Sequence, residues 1–184
     1  PFIVPTIVAV LVWRWILNDS YGVVNYLLLS LGIVDAPVVW LGSPGYALVS
    51  VIAMNVWQFF PFVVITLLAR LATIPDTQYE AARVDGASPV QQFWFVTLPH
   101  LSTILVTVVL LRAIWMFQKF ESIYLMTRGG PLGATQHLPI LAYDEMFVNF
   151  RMGRAAAVAV LSFLILAGAS ALYLRLHRPA EAEL

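Results

Sequence analysis

Four long apolar stretches alternate with polar ones along the chain, and the alternation predicts helices that cross a membrane joined by segments that do not. The first, 1–17, is apolar except for Arg14 and is slightly short of the ~20 residues that a helix needs to span hydrocarbon. The second, 46–69, runs 24 residues without a charge. The third covers 100–124, and the fourth, 155–174, holds 20 uncharged residues rich in Ala and Gly, a composition suited to close helix packing in lipid. Between them, 18–45 is rich in Asn, Asp, Gly and Pro and predicts a loop with one short interfacial helix from about Val23 to Leu31. The segment 122–153 is again loop-like, while 70–99 is polar and charged.

Polar groups inside the apolar stretches need partners. Asn55 and Gln58 lie three apart, on one helical face, and serve either as interhelical hydrogen bonds or as substrate contacts. Pro61 frees a backbone carbonyl and predicts a bend. Arg112 stands about 18 Å along the third stretch from His100, at about 1.5 Å per residue, more than halfway across a ~30 Å core. A charge there is expected to face the bundle interior or water, as a structural pair or on a substrate path. Arg14, near the end of its stretch and between Trp13 and Trp15, can reach the interface.

The segment Tyr79–Pro99 predicts two short helices broken at Gly86. Pro75 suits a first helical position and Asp76 complements the helix dipole. Asp85-Gly86 is a turn signal, and Ser88-Pro89 restarts helix with Ser as N-cap. Pro99 predicts the next break.

Composition sharpens this picture. The 184 residues are 61% hydrophobic and 11% charged, against about 25% charged in soluble domains, with a mean hydropathy of +0.86. Net charge is zero, which gives no reason to expect nucleic acid. The absence of cysteine excludes disulfides, Cys-ligated zinc and thiol nucleophiles. The single lysine, Lys119, follows Gln118, so no phosphate-binding G-x-x-x-x-G-K motif exists. His100, His137 and His177 lack metal-ligand spacing, and the adjacent Asp144 and Glu145 point different ways on a helix. No catalytic constellation appears, and the chain reads as a non-enzyme. It opens on Pro1 inside an apolar run and is expected to be N-terminally incomplete. Counting Arg and Lys on the two sides of the four stretches does not decide orientation.

Glu80-Ala81-Ala82, Asp85-Gly86-Ala87, Phe93 and Leu98-Pro99, set between two apolar stretches, closely resemble the EAA loop of the membrane-spanning subunits of ABC importers. Gly22-Val23-Val24-Asn25 followed by Trp40-Leu41, and the turn Leu125–Pro131, are also similar to that family, most of all to carbohydrate importers of the maltose and glycerol-phosphate type. The resemblance implies an all-α integral membrane protein, a type I ABC importer permease helix bundle with about four transmembrane helices in this chain. It implies one transmembrane domain over 1–178, a cytoplasmic coupling loop at 70–99 and a tail at 179–184, in a bacterial or archaeal cytoplasmic membrane. The expected partners are a second permease subunit, two ATP-binding subunits, an external or periplasmic solute-binding protein and the lipid bilayer. No cofactor is expected on this chain, with ATP and magnesium on the partner subunits. Coupling residues would be Glu80, Ala81, Ala82, Asp85, Gly86 and Ala87. The substrate path would offer Asn55, Phe59, Phe62, Arg112, Trp115 and Met116, for a sugar or related solute. A passive channel or ion-coupled transporter explains the apolar stretches and Arg112 but not the conjunction of Glu80, Asp85, Gly86 and Pro99.

Overall fold

In the computed structural model, residues 1–176 are described, and every regular element among them is a helix. The predicted tail at 179–184, with His177 and Arg178, lies outside the described residues. Nine α-helices follow in order: α1 Thr6–Ile16, α2 Val23–Ser30, α3 Pro44–Leu71, α4 Asp76–Val84, α5 Pro89–Gln92, α6 Leu98–Phe117, α7 Glu121–Thr127, α8 Leu138–Tyr143 and α9 Met152–Leu176. A π-helical turn, Phe93–Thr97, joins α5 to α6, and a second, Asp144–Val148, extends α8. Three helical runs are long and apolar enough to cross a membrane: Pro44–Leu71, Pro89–Phe117 and Met152–Leu176. α1 is apolar but only 11 residues long, shorter than the stretch 1–17 because Pro5 caps its start and Leu17 its end.

Three expectations change. Pro99 does not break the chain: helix runs from Pro89 through it to Phe117. A proline removes the N–H that the carbonyl four residues back would accept, and its ring presses on that carbonyl. The wider π turn at Phe93–Thr97 comes just before Pro99 and lets the helix continue past it, with the Leu98 N–H donating to the Phe93 carbonyl. The same helix ends at Phe117 rather than 124, and α7 starts afresh at Glu121. The segment 122–153 is therefore not simply loop, since it carries α7, α8 and a π turn.

The chain divides into two compact units. One comprises Pro1–Phe60 with Gln118–Ile165. Its core is Ala9, Val10, Leu17, Val51, Met54 and Met126, with Trp13, Trp40 and Ile123 packed against it, and α1 lies on α7. Asn25, buried on α2, organises the 18–40 loop. Its Nδ2 donates to the carbonyls of Asp19 (3.1 Å) and Val38 (3.0 Å), and its Oδ1 accepts from the Val38 N–H (3.1 Å) and Trp40 Nε1 (2.9 Å). Gly22 starts this turn where no larger residue fits: a Cβ would lie 2.2 Å from the Asn18 carbonyl oxygen. The turn after α7 is held by Thr135, whose hydroxyl donates to the Gly130 carbonyl (2.9 Å) and lies 2.6 Å from the Thr127 hydroxyl.

The second unit comprises Pro61–Phe117 and, among the described residues, 166–176. Leu101 and Val108 of α6 are buried, and the Tyr173 hydroxyl of α9 donates to the Val106 carbonyl (2.8 Å). α3 itself continues unbroken through Pro61, where the two units divide.

Candidate functional site

The polar segment forms a helical hairpin within the second unit. α4 begins at Asp76 with Pro75 as its N-cap, one residue later than a proline at the first helical position would start it, and Asp76 in its first turn complements the dipole. Its end is a Schellman motif: the Gly86 N–H donates to Arg83 (3.0 Å) and the Ala87 N–H to Ala82 (2.9 Å). Gly86 has φ +81, a left-handed backbone that other residues adopt at a cost. α5 starts with a capping box in which the Gln91 N–H donates to Ser88 Oγ and the Ser88 N–H donates to Gln91 Oε1. The Gln92 amide donates to the Ala87 carbonyl (2.9 Å), bracing the turn from within.

The base of the hairpin is tied at two points. The Tyr79 hydroxyl lies 2.9 Å from the Thr97 hydroxyl, joining α4 to the π turn. Arg70, at the end of α3, donates from Nε to the His100 carbonyl (3.1 Å), while His100 Nδ1 meets the Val96 carbonyl at 2.8 Å. The hairpin is thus clamped where it joins the long helices and free at its tip. α4 buries no residue, and Glu80, Ala81, Asp85 and Gly86 are exposed, with Ala82 and Ala87 half-buried. Nothing lies within 4 Å of a Cβ built on Gly86. Val84 and Val90 flank the same turn and stand 88% and 67% exposed. An alanine-flattened surface carrying Glu80, Arg83 and Asp85, with two apolar knobs, is left bare. The Tyr79–Thr97 tie had no local signal in the sequence, because its partners are 18 residues apart.

The six residues expected along a substrate path fall into separate settings. Asn55 is buried and bonded through both amide atoms: its Nδ2 donates to the Val51 carbonyl (2.8 Å) and its Oδ1 accepts from Ser122 Oγ (2.9 Å). Its bond to Ser122 joins α3 to α7. Gln58, also buried, donates to the Val4 carbonyl (3.1 Å). Phe59 packs edge-on against Phe2 and carries the Lys119 ammonium 4.8 Å above its ring. In the second unit, Phe62 and Trp115 have ring centroids 5.4 Å apart, the Arg112 guanidinium lies 5.9 Å from the Trp115 ring, and its Nη2 donates to Met116 Sδ (3.0 Å). Arg112, Trp115, Met116 and Phe62 therefore form one aromatic and cationic cluster. It lies five residues before the end of α6, nearer that end than a count from His100 suggests.

Comparison with known proteins decides the family. The family described as binding-protein-dependent transport system inner membrane component matches residues 1–179. The chain belongs to this family. Among its relatives, the trehalose/maltose transport system permease protein MalF of Thermococcus litoralis is 38% identical over 178 residues, covering 97% of this chain and 59% of that protein. The diacetylchitobiose uptake system permease protein DasB of Streptomyces coelicolor is 41% identical over 180 residues, covering 97% of this chain and 55% of that one. The chain thus spans between 55% and 59% of the length of these two relatives. The fold matches a crystal structure of a bacterial ABC transporter involved in the import of alginate, with a TM-score of 0.87 at 23% identity, over 99% of this chain and 63% of that one. Members of this binding-protein-dependent family such as these two are transport permease proteins, not enzymes. The described residues share with that structure an all-helical fold.

Proposed function

We propose that the chain is part of the membrane-spanning permease subunit of an ATP-driven importer and translocates a sugar or related solute delivered by an external binding protein. The observation that carries this reading is the hairpin at 76–97, rigid at its base and bare at its tip, in a chain of this family. Glu80 and Asp85 would meet basic groups on an ATP-binding subunit, while Ala81, Ala82 and Gly86 allow its backbone close. ATP and magnesium reside on two such subunits, and a second permease subunit completes the path. Because Tyr79 and Arg70 clamp the hairpin to its long helices, movement imposed on the tip is passed to α3 and α6 rather than absorbed. The cluster of Phe62, Arg112, Trp115 and Met116 offers ring faces and one cation to a solute, as sugar rings require. Relatives named for maltose, trehalose and diacetylchitobiose support a carbohydrate cargo.

The test is purification of the full-length protein with its neighbours from the membrane. An ATP-binding subunit is expected to come with it, and uptake by the reconstituted assembly should require ATP. Uptake driven by an ion gradient without any ATP-binding subunit would favour the ion-coupled reading.

A further inference from the structure

The elbow between α8 and α9 holds a groove that neither the hairpin nor the path residues use. It is a shallow, open groove of about 590 Å³ between walls of Phe120, Tyr143 and Phe147 and a floor of Met152, Ala156 and Ala159. The walls are braced, with Tyr143 5.1 Å from Phe120 and 4.9 Å from Phe147, ring to ring. The floor is the start of α9, a helix long and apolar enough to cross a membrane. Next to the groove, Phe150 is held 79% exposed in a left-handed backbone with φ +54, a conformation that is strained for an aromatic residue. Arg151 and Arg154 bracket the first turn of α9, both are exposed, and neither guanidinium is engaged by another described residue. The acids of the same elbow bond to neutral amides and not to either arginine: Asp144 accepts from the Gln136 amide (3.0 Å) and Glu145 Oε1 from the Asn149 amide (3.2 Å), while Glu145 Oε2 is buried without a hydrogen-bond partner among the described residues.

We infer that this elbow binds an anionic phospholipid, with an acyl chain in the groove and the headgroup phosphate between Arg151 and Arg154. The groove is lined almost wholly by carbon, so it offers a soluble polar ligand no hydrogen bonds to orient it. An acyl chain needs none. Aromatic and apolar side chains beside two exposed arginines that make no ion pair with a described residue, at the end of a spanning helix, match the boundary where acyl chains give way to phosphates. Two cations that pair with no acid among the described residues complete an apolar slot that would otherwise take any hydrocarbon, and they select the charged lipid. The inference stands on the family's membrane setting and not on the coupling role of the hairpin.

The test uses the full-length protein with its partner subunits in nanodiscs carrying trace phosphatidylglycerol with a photoreactive acyl chain. Labelling should concentrate on peptides from 142–159. It should fall about thirtyfold in the Arg151→Ala, Arg154→Ala variant, the loss expected from removing two surface cations, and return in the Arg151→Lys, Arg154→Lys variant. Phosphatidylcholine carrying the same photoreactive chain should label several-fold less, and Ala156→Trp should block labelling by filling the floor. Excess inorganic phosphate should leave labelling intact. Equal labelling by the two lipids, label spread evenly along α9, displacement by phosphate alone, or a cross-link to another protein chain in place of lipid would overturn the inference.

Discussion

At the scale of single residues, the polar side chains of this apolar chain fall into two kinds, those that close the fold and those left open. Asn25 uses all its hydrogen-bonding capacity on four partners across the 18–40 loop. Asn25→Ala leaves the Val38 N–H and Trp40 Nε1 without their acceptor and should cost about 2–3 kcal/mol, read as loss of hydrogen-exchange protection confined to that loop. Asn55 and Ser122 form a buried pair, and a double-mutant cycle to Ala should give a coupling of about 0.6–1.7 kcal/mol, the range for hydrogen bonds between membrane helices. His137, in the turn before α8, has its pKa held below the usual histidine value by burial, with the nearby Lys119 backbone opposing in part. A lowered pKa means that the unfolded chain binds the proton more readily. Stability should therefore fall as pH drops below about 6.5, towards the lower folded value. His137→Gln should flatten the acid side of a thermal-melt pH series, and an unchanged slope would discount the residue. The aromatic and amide pairings were partly legible from residue type alone. Asn55 and Gln58 announced themselves as buried polar groups, but Ser122, 67 positions from Asn55, carried no sign of being the partner.

At the scale of elements, the hairpin shows why local signals worked so well there. Its caps and turn, Asp76, Gly86 and Ser88-Pro89, act within a few residues, so the sequence states them directly. Pro99 misled for the opposite reason. Its effect depends on whether the preceding turn can widen, and no single residue type marks a π turn. The end of α6 at Phe117 was likewise hidden, because Gln118 and Lys119 look no different from the polar residues that membrane helices carry inside them. Gly86→Ala should weaken the hairpin by about 1–2 kcal/mol through its left-handed backbone, while the open space around it leaves no clash. Gly86→Trp should abolish ATP-driven uptake while membrane insertion is kept, because the indole occupies the bare surface. Normal uptake by this variant would remove the hairpin's coupling role.

For the molecule as a whole, the apolar stretches foretold long helices while the fold class came from the family resemblance, and three of the four stretches were recovered as helices of spanning length. The fourth, α1, packs on α7 and adds Ala9 and Val10 to the core of the first unit. The path residues were legible by type and by helix but not by neighbourhood, since separation in the chain says nothing about which ring meets which cation. Arg112→Ala removes the charge from the Trp115–Met116 cluster and should lower transport or the yield of assembled complex. Reconstituted uptake beside size-exclusion chromatography separates the two effects, and no change in either would strike Arg112 from the path.

The π turn at Phe93–Thr97 has a geometric corollary. It puts one more residue into a turn than an α-helix would, so everything on its N-terminal side is rotated by about 100° around the α6 axis relative to a regular helix. The compass bearing of Glu80 is therefore set by residue count as much as by chemistry. Deleting one residue between 93 and 97 would leave every side chain of the hairpin present and aim them all at the wrong quarter.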